Sequence, residues 1–370
     1  MKITEISVFL VGRWQFVKVQ TDEGLYGVGE GGGWPYVSAR AIDVLKGPLI
    51  GENPLDIERL WYKMYRHFWG HGVTGSVGGG AISGIDMALW DIKGKELDVP
   101  IYELLGGNVR DRIRVYGHAR TVEAAQWLIN HGVTAFKCPA SRQTIKDLRD
   151  AVGYDVDIGL HAHGDFTPSA AIRLARQTER YEPAYLEEPV PPENIEAMAK
   201  VAAHTDIPLA TGERFFNKWC LTELMSRKII DIFQPEITRI GGITEQLKTC
   251  RLAEAYYVKV APHDGSAGPI AEAANLQICA HIPNLIYLEH RCFDSHAPNA
   301  DVTYRNEVVS GVIPDIDGYI AIPSAPGLGM DIHEEECQKH PYQFREAPEL
   351  PVDDIFTASP RWLERGRGLY

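Results

Sequence analysis

The chain has 370 residues, of which 45% are hydrophobic and 24% charged, and 37 basic against 50 acidic residues give a net charge of −13. This composition is typical of a globular protein with one large or two cooperating domains. The acidic balance argues against a nucleic-acid binder, which needs a basic face. No apolar run approaches the roughly 20 residues of a membrane span, no signal-peptide pattern is evident, and the six cysteines are too scattered for a zinc or redox motif. We therefore expect a reduced, cytoplasmic protein that binds neither nucleic acid nor membrane.

The first 111 residues predict an α+β domain. Alternating apolar and polar residues in "ITEISVFLV", "WQFVKVQT" and "TDEGLYGVGE" predict three antiparallel strands. Helical periodicity follows in "ARAIDVLKGPLI", "PLDIERLWYKMYRHFW" and "GGAISGIDMALWDIKGKEL". Two glycine-rich stretches, 30–36 and 69–80, are predicted to be mobile loops. Neither has the strand–loop–helix spacing of a phosphate-binding loop.

From about residue 112 the pattern changes to a strict alternation of strands and helices. "RIRVYGHA" is the first of eight predicted strands and "LIYLEHRCF" the last, with a helical segment between each pair. Such alternation implies parallel strands, and eight units close into a (β/α) barrel. The predicted organisation is an α+β domain over 1–111, a barrel over 112–320, and a C-terminal segment over 321–370 that returns to the first domain.

In barrels of this kind the chemistry lies at the carboxyl ends of the strands. Titratable side chains recur there, where ordinary packing would use Val, Ile or Leu: Lys137, His161, His163, Glu187, Glu213, Glu236, His263 and Glu289. Steps of 26 residues, one strand–helix unit each, separate His161, Glu187 and Glu213. The three side chains are therefore expected at one height on neighbouring strands, as a divalent-metal site. The alternative is three unrelated groups at the starts of loops.

The other strand-end residues are candidates for acid–base chemistry and substrate binding. His263 and Glu236 follow neighbouring strands, and a carboxylate beside an imidazole orients the ring and raises its basicity, as in a general base; the alternative is a core histidine. Lys137 could bind a substrate carboxylate, act as a base, or be an ordinary solvated lysine. Glu289 could hold a substrate hydroxyl or an enolate oxygen. His163 could be a general acid facing His263, or only a hydrogen-bonding partner behind the metal ligands.

The ordered motifs "YLEEPV", "PLATGER", "IFQPEITRIGGITE", "APHDG" and "PGLG" resemble the enolase superfamily. The resemblance is greatest to its mandelate racemase subgroup, near the galactonate dehydratases and related sugar-acid dehydratases. It implies an α+β capping domain over a (β/α)7β barrel that holds Mg²⁺, and a symmetric homo-oligomer. Glu187 and Glu213 match the second and third metal ligands, and His263 matches the base. Glu236 and Glu289 match the partner of that base and the carboxylate that ends the eighth strand. The resemblance also matches His163 with the dehydratase acid.

Two positions depart from the family pattern. His161 stands where the family has Asp, and because imidazole suits Mn²⁺ or Zn²⁺ better than Mg²⁺, the metal preference could shift. Alternatively Mg²⁺ binds weakly or catalysis is lost. Asp165 could replace the missing carboxylate, although it lies four residues further on. Pro139 occupies the place of a second polar or basic group, which favours proton abstraction from one side over racemisation.

These residues predict the metal-dependent dehydration of a sugar acid, an aldonate such as galactonate or gluconate, to a 2-keto-3-deoxy acid. His263 would remove the proton α to the carboxylate, and His163 would protonate the departing β-hydroxyl. The alternatives are an epimerase or lactone cycloisomerase that uses the same enediolate, or a decayed member that only binds its ligand. Four residues of the glycine-rich stretches are predicted to line the substrate pocket: Trp34, Tyr36, Trp69 and His71.

Overall fold

A computed structural model describes residues 1–68, 75–290 and 304–343. Its residues before 112 form a cap, in which three antiparallel strands in the order β1–β2–β3 pack against helices. The strands are β1 (Ile3–Val11), β2 (Trp14–Thr21) and β3 (Tyr26–Gly31). The helices are α1 (Pro35–Leu49), α2 (Ile57–Phe68), α3 (Ser76–Glu96) and α4 (Ile101–Leu105).

The central helix of the cap, α3, lies directly on β3. A Cβ added at Gly29 would stand 2.0 Å from the carbonyl oxygen of Gly84, and one added at Gly27 would stand 2.0 Å from that of Ala88. Only residues without a side chain allow a strand and a helix to approach so closely. The glycines of "YGVGEG" therefore place α3 against the sheet.

The prediction of a mobile loop over residues 69–80 is wrong from Ser76 onward, because α3 begins there. A Cβ added at Gly79 would stand 1.9 Å from the carbonyl oxygen of Arg239, and one at Gly80 would stand 2.4 Å from that of Gly32. These glycines are used for close packing of a helix rather than for a turn. Residues 69–74, which include Trp69 and His71, lie outside the described residues.

Eight parallel strands form the barrel that follows. They are β4 (Arg112–His118), β5 (Ala135–Pro139), β6 (Asp157–His161), β7 (Tyr185–Glu187), β8 (Leu209–Thr211), β9 (Ile232–Phe233), β10 (Lys259–Val260) and β11 (Leu288–Glu289). Neighbouring strands from β4 to β10 pair in sequence order, β11 pairs with β4, and a bridge between Val260 and Leu285 closes the ring. The predicted (β/α)7β barrel with an α+β cap is confirmed.

Helices connect successive strands of the barrel. They are α5 (Val122–Asn130), α6 (Arg142–Val152), α7 (Pro168–Thr178), α8 (Ile195–Ala202), α9 (Lys218–Ser226), α10 (Ile237–Ile240), α11 (Gly242–Ala255) and α12 (Pro269–His281). The first five begin after a residue whose side-chain oxygen accepts a hydrogen bond from the first turn: Thr121, Ser141, Thr167, Asn194 and Asn217. Such caps satisfy backbone N–H groups that the helix leaves unpaired, so these helix starts are encoded locally.

Large aromatic and small side chains together fill the barrel interior. Three buried tyrosines, Tyr116, Tyr185 and Tyr287, pack there with alanines and Ile232. A Cβ added at Gly159 would stand 2.1 Å from the Tyr185 ring, so the glycine of β6 makes room for that ring. This layer of side chains fills the barrel interior below the carboxyl ends of its strands, and the site lies directly above it.

The described residues 304–343 contact both units. They contain α13 (Arg305–Val308), α14 (Glu334–Lys339), β12 (Val309–Ser310), β13 (Asp315–Ile316), β14 (Tyr319–Ala321) and β15 (Asp331–Ile332). The predicted C-terminal segment, which starts at residue 321, includes only α14, β15 and the last residue of β14. Whereas β14 pairs with β4 of the barrel, the later residues reach the cap: the Tyr26 hydroxyl donates to Asp331 at 2.7 Å and the Gly12 N–H to the His340 carbonyl at 2.8 Å. No helix in the described ranges has the length and apolar character that crossing a membrane requires.

Candidate active site

The strand ends bring the predicted catalytic residues together at one mouth of the barrel. His161, Glu187 and Glu289 are the last residues of β6, β7 and β11, and His161 and Glu187 are register partners across two strands. The 26-residue spacing between His161 and Glu187 predicts that they lie side by side on neighbouring strands, and they do. Glu213 and His263 follow β8 and β10 by a few residues.

His263 is held between two carboxylates. Its Nδ1 lies 2.8 Å from Oε2 of Glu236, and its Nε2 lies 2.7 Å from Oε2 of Glu213. Glu236 is itself fixed, because its Oε1 accepts hydrogen bonds from the Thr238 N–H at 3.1 Å and hydroxyl at 2.7 Å. The orientation of the ring is therefore determined on the Nδ1 side, and Nε2 is the nitrogen that faces the other site residues.

The electrostatics of this group favour a protonated His263 in the metal-free chain. Burial lowers the pKa of His263, but the charges of Glu213 and Glu289 and the hydrogen bonds outweigh it and raise that pKa well above its usual value. Burial conversely raises the pKa of Glu213, but the charge of His263 and the close approach of the His163 and His263 rings bring it well below the usual value. The site thus holds an ionised carboxylate with a histidine toward each oxygen.

His163 is the second of those histidines. Its Nε2 lies 3.2 Å from Oε1 of Glu213, and its ring stands perpendicular to that of His161 at 5.3 Å between centroids. Since His263 contacts the other oxygen, Glu213 separates two imidazoles that come from different strands. Two imidazoles on either side of one carboxylate can serve as an acid and a base.

His161 is a neutral imidazole with an unused nitrogen. The His161 side chain is 26% exposed, but its Nε2 atom is buried and makes no hydrogen bond. This atom lies 3.6 Å from Oε1 of Glu187. Burial lowers the pKa of His161 to about 3; the charge of Glu187 opposes this change and that of Lys137 adds to it. A neutral ring with a buried, unpaired nitrogen is the form that binds metal ions.

Two overlapping sets of residues could hold a divalent ion. His161, His163 and Glu213 each offer one ligand atom, all within 4.8 Å of one another. Glu187, the other predicted ligand, adjoins His161, but Lys137 donates to its Oε1 at 2.9 Å and Gln234 to its Oε2 at 3.2 Å. Imidazole nitrogens and carboxylate oxygens are ligands of divalent ions, and the buried nitrogen of His161 is unpaired. These residues therefore fit a divalent ion. The role of Glu187 as a ligand stays a prediction.

Lys137 and Glu289 form the opposite wall. The Lys137 ammonium is buried, 2.9 Å from Glu187 and 3.3 Å from Glu289. Burial lowers its pKa, but the charges of Glu187 and Glu289 outweigh this and raise the pKa above its ordinary value. Lys137 is therefore a permanent cation at the site, which suits it to bind a carboxylate and not to act as a base.

Residues that sequence reasoning missed also surround Glu289. His118, the last residue of β4, contacts its Oε1 through Nε2, and the Tyr116 hydroxyl donates to its Oε2 at 3.2 Å. The Asp264 N–H donates to the same oxygen at 3.0 Å. His118 ends the first barrel strand at the same layer as Lys137, its Cα partner in β5. The strand-end rule that selected Lys137 could therefore have found His118.

Two of the predicted pocket residues, Trp34 and Tyr36, lie on the cap. Trp34 precedes α1 and is 59% exposed; Tyr36 is 52% exposed and its ring stacks on Tyr342 at 6.4 Å. The preceding loop touches the barrel, because the Gly32 N–H donates to the carbonyl oxygen of Thr238 at 2.9 Å. This contact places the loop beside the segment that carries Glu236. A direct contact of either ring with substrate stays a prediction.

Comparison with known proteins identifies the family. The model of the mandelate racemase / muconate lactonizing enzyme N-terminal domain matches residues 5–106, and the enolase C-terminal domain-like model matches residues 120–336. The chain belongs to the enolase superfamily. The boundary between the two matched regions falls where the cap gives way to β4.

Relatives within the enolase superfamily cover nearly the whole chain. A D-galactonate dehydratase of Ralstonia pickettii is 37% identical over 90% of this chain and 93% of its own length, and one of Variovorax paradoxus is 38% identical with the same coverage. Among solved structures, an enolase from Pantoea ananatis with bound D-gluconate and Mg is 30% identical with a TM-score of 0.84, covering 92% of this chain and 94% of its own. The 3,6-anhydro-D-galactonate cycloisomerase of Zobellia galactanivorans is 31% identical with a TM-score of 0.85, covering 92% and 99%.

Proposed function

We propose that this chain dehydrates a sugar acid, an aldonate such as galactonate or gluconate, to a 2-keto-3-deoxy acid in a metal-dependent reaction. The observation that carries the proposal is the carboxylate of Glu213 with His263 on one oxygen, at 2.7 Å, and His163 on the other, at 3.2 Å. Two histidines on different strands provide a base and an acid that need not exchange roles. The galactonate dehydratase relatives support this reaction, and the neighbour with bound D-gluconate supports the substrate class.

His263 is assigned to proton abstraction. Glu236 accepts the Nδ1 proton and orients the ring, so that Nε2 is the nitrogen that takes the substrate proton. His263 acts as a base in its neutral form. A cation held by Glu213 would favour that form, because it would offset the carboxylate charge that raises the pKa of His263. His163 is assigned to the leaving group: it donates a proton to the β-hydroxyl as the C–O bond breaks, so that water departs. The resulting enol tautomerises to the 2-keto-3-deoxy acid. Lys137 is assigned to the substrate carboxylate and Glu289 to a hydroxyl or the enolic oxygen.

A divalent ion would be held by His161, Glu187 and Glu213, with His163 close enough to share it. Bound there, it would neutralise charge that develops on the substrate carboxylate as the α-proton leaves. The resemblance favours Mg²⁺. Because His161 replaces one hard oxygen ligand by nitrogen, we expect Mn²⁺ to bind more tightly than Mg²⁺ and Zn²⁺ to bind as well.

A second candidate is an isomerisation through the same enediolate, as an epimerase or a lactone cycloisomerase. The similarity to a 3,6-anhydro-D-galactonate cycloisomerase favours this class. Mass spectrometry of the product separates the two: dehydration removes one water from the acid, whereas isomerisation leaves its mass unchanged. Pro139, which ends β5 without a titratable group, favours the one-sided reaction.

The test is a screen of aldonates with purified protein in Mg²⁺, Mn²⁺ and Zn²⁺, with detection of 2-keto acid and His263→Asn as the matched inactive variant. Keto-acid formation that this variant abolishes supports the proposal. A wild-type chain that binds none of the three ions and turns over no acid, whereas His161→Asp gains metal-dependent activity, indicates a decayed site and overturns the proposal. Assembly into a homo-oligomer stays a prediction of the resemblance.

A further inference from the structure

The turn that carries His163 has an unfavourable backbone conformation. His163 has φ 52° and Gly164 φ 77°, both in the left-handed region, and in the neighbouring strand end Glu188 has φ 44°. Residues with side chains adopt this region rarely and need support from their surroundings. Hydrogen bonds provide part of it: the Ala162 N–H donates to the carbonyl of Glu187 at 3.0 Å and the Gly164 N–H to that of Glu188 at 2.6 Å.

An ion pair between the half-buried Arg214 and the buried Glu188 provides the rest. The guanidinium of Arg214 donates to Glu188 through Nη2 at 2.7 Å and through Nε at 3.0 and 3.1 Å, a two-pronged geometry that a lysine cannot reproduce. The Glu188 side chain is fully buried. Glu188 follows Glu187 in the chain and Arg214 follows Glu213, so each member of the pair is the next residue after a candidate metal ligand.

The guanidinium lies against the turn itself. A Cβ added at Gly164 would stand 2.5 Å from Nη2 of Arg214 and 3.3 Å from Cα of Pro191. The Arg214 side chain therefore occupies the space directly beneath the residue after His163. A substitution that shortens or replaces the Arg214 side chain would remove the group that packs against the turn.

We propose that the Glu188–Arg214 pair is a positioning device for His163, which holds the left-handed turn so that the imidazole faces Glu213. The inference rests on the proposed function in one respect, the assignment of His163 to the elimination step. His263 also contacts Glu213, at 2.7 Å, but its ring is oriented from the other side by Glu236, which follows β9, at 2.8 Å. The pair therefore controls elimination much more than proton abstraction.

Two variants perturb the turn in different ways. Arg214→Lys keeps the positive charge beside Glu188 but loses the two-pronged contact. Gly164→Ala leaves both charges in place and adds a methyl group 2.5 Å from the present position of Nη2, so the guanidinium must move. If Arg214→Lys does not fold, as judged by its thermal melt, Gly164→Ala carries the test. Arg227→Lys is the matched control, because Arg227 makes a similar contact to Glu196, at 2.7 and 3.1 Å, on the outer helices.

The functional readout is the ratio of two rates measured on D-galactonate and D-gluconate in D₂O. Proton NMR follows exchange at the α-carbon, and keto-acid formation follows elimination. We expect both turn variants to lose roughly 10- to 100-fold in elimination while exchange persists, so that the ratio of exchange to elimination rises. His163→Asn should show the extreme of this pattern. A merely structural role would lower both rates by one factor, and that result would overturn the inference.

A second readout does not depend on turnover. With ¹⁵N-labelled histidine, the ring signals of His163, assigned by their loss in His163→Asn, should shift in both turn variants, whereas those of His263 should not. Arg227→Lys should leave both sets unchanged. If wild type neither exchanges nor dehydrates either acid, the proposed function fails for these acids, while the ring signals still decide the positioning role. Unshifted His163 signals in a folded Gly164→Ala variant refute it.

Discussion

Glu30 joins the cap to the barrel and provides a test of the junction beside the site. It belongs to β3, and its carboxyl oxygens accept hydrogen bonds from the N–H groups of Gly268 at 2.5 Å and Ala271 at 3.1 Å, at the start of α12. The side chain is 1% exposed. Burial raises the pKa of Glu30 to about 8, although the two backbone hydrogen bonds act in the opposite direction.

The sign of the pH dependence follows from this shift. The folded state holds the Glu30 proton up to about pH 8, whereas the unfolded chain releases it near its ordinary value of 4.5. The contribution of Glu30 to stability is thus fully present below pH 4.5 and is lost as the pH rises toward 8. With these two pKa values, the loss between about pH 5.5 and about pH 7.5 is about 2–3 kcal/mol.

The perturbation is Glu30→Gln, and the assay is urea unfolding at several pH values across that window. Gln keeps an acceptor for Gly268 but turns an NH₂ group toward the Ala271 N–H, so we expect a pH-independent cost of about 1 kcal/mol. The difference in unfolding free energy between wild type and the variant should shift by about 2–3 kcal/mol in favour of the variant from about pH 5.5 to about pH 7.5. Glu254→Gln, at an exposed position of α11, should show no such change. A difference between wild type and Glu30→Gln that stays constant with pH would refute the buried, protonated state of Glu30.

Three further predictions concern the site and the layer of side chains below it. His263→Asn should lower α-proton exchange and dehydration together by roughly 10²- to 10⁴-fold; undiminished exchange in D₂O would remove His263 from the base role. His161→Ala should abolish stoichiometric binding of a divalent ion measured by calorimetry and elemental analysis, with the exposed His204→Ala unchanged, and full retention of the ion by His161→Ala would exclude it as a ligand. Gly159→Ala should destabilise the barrel by about 1–3 kcal/mol in urea unfolding, because its Cβ would stand 2.1 Å from the Tyr185 ring. Tyr185→Leu in the same chain should recover part of that loss, and a Gly159→Ala variant as stable as wild type would contradict the packing described.

Much of the architecture was predictable because its signals are local. Strand–helix alternation depends on the apolar periodicity of residues a few positions apart, and it indicated the barrel. The strand-end rule then selected residues such as His161, Glu187 and His263. The same local reasoning failed over 76–80, where glycines that suggest a loop serve the close packing of α3 on Gly32 and Arg239.

The contacts that define the site were not predictable in the same way. The two-sided contact of Glu213 with His163 and His263 joins three strands, and its distances depend on the tilt and closure of the barrel. His118 follows the strand-end rule, but its contact with Glu289 required β11 to pair with β4 across the closure.

The sequence by itself determined the order of the elements, the edge of the barrel where titratable groups collect, and the family pattern of motifs, because each of these follows from periodicity and residue type along the chain. Tertiary structure alone decided which charges face one another. Lys137 between Glu187 and Glu289, Arg214 beneath the turn of His163, and the buried Glu30 at α12 bring together residues from 26 to 241 positions apart. The protonation of such groups depends on burial and on neighbours a few ångströms away. The 26-residue spacing shows which strand ends adjoin, but it gives neither the distances between side chains nor their burial.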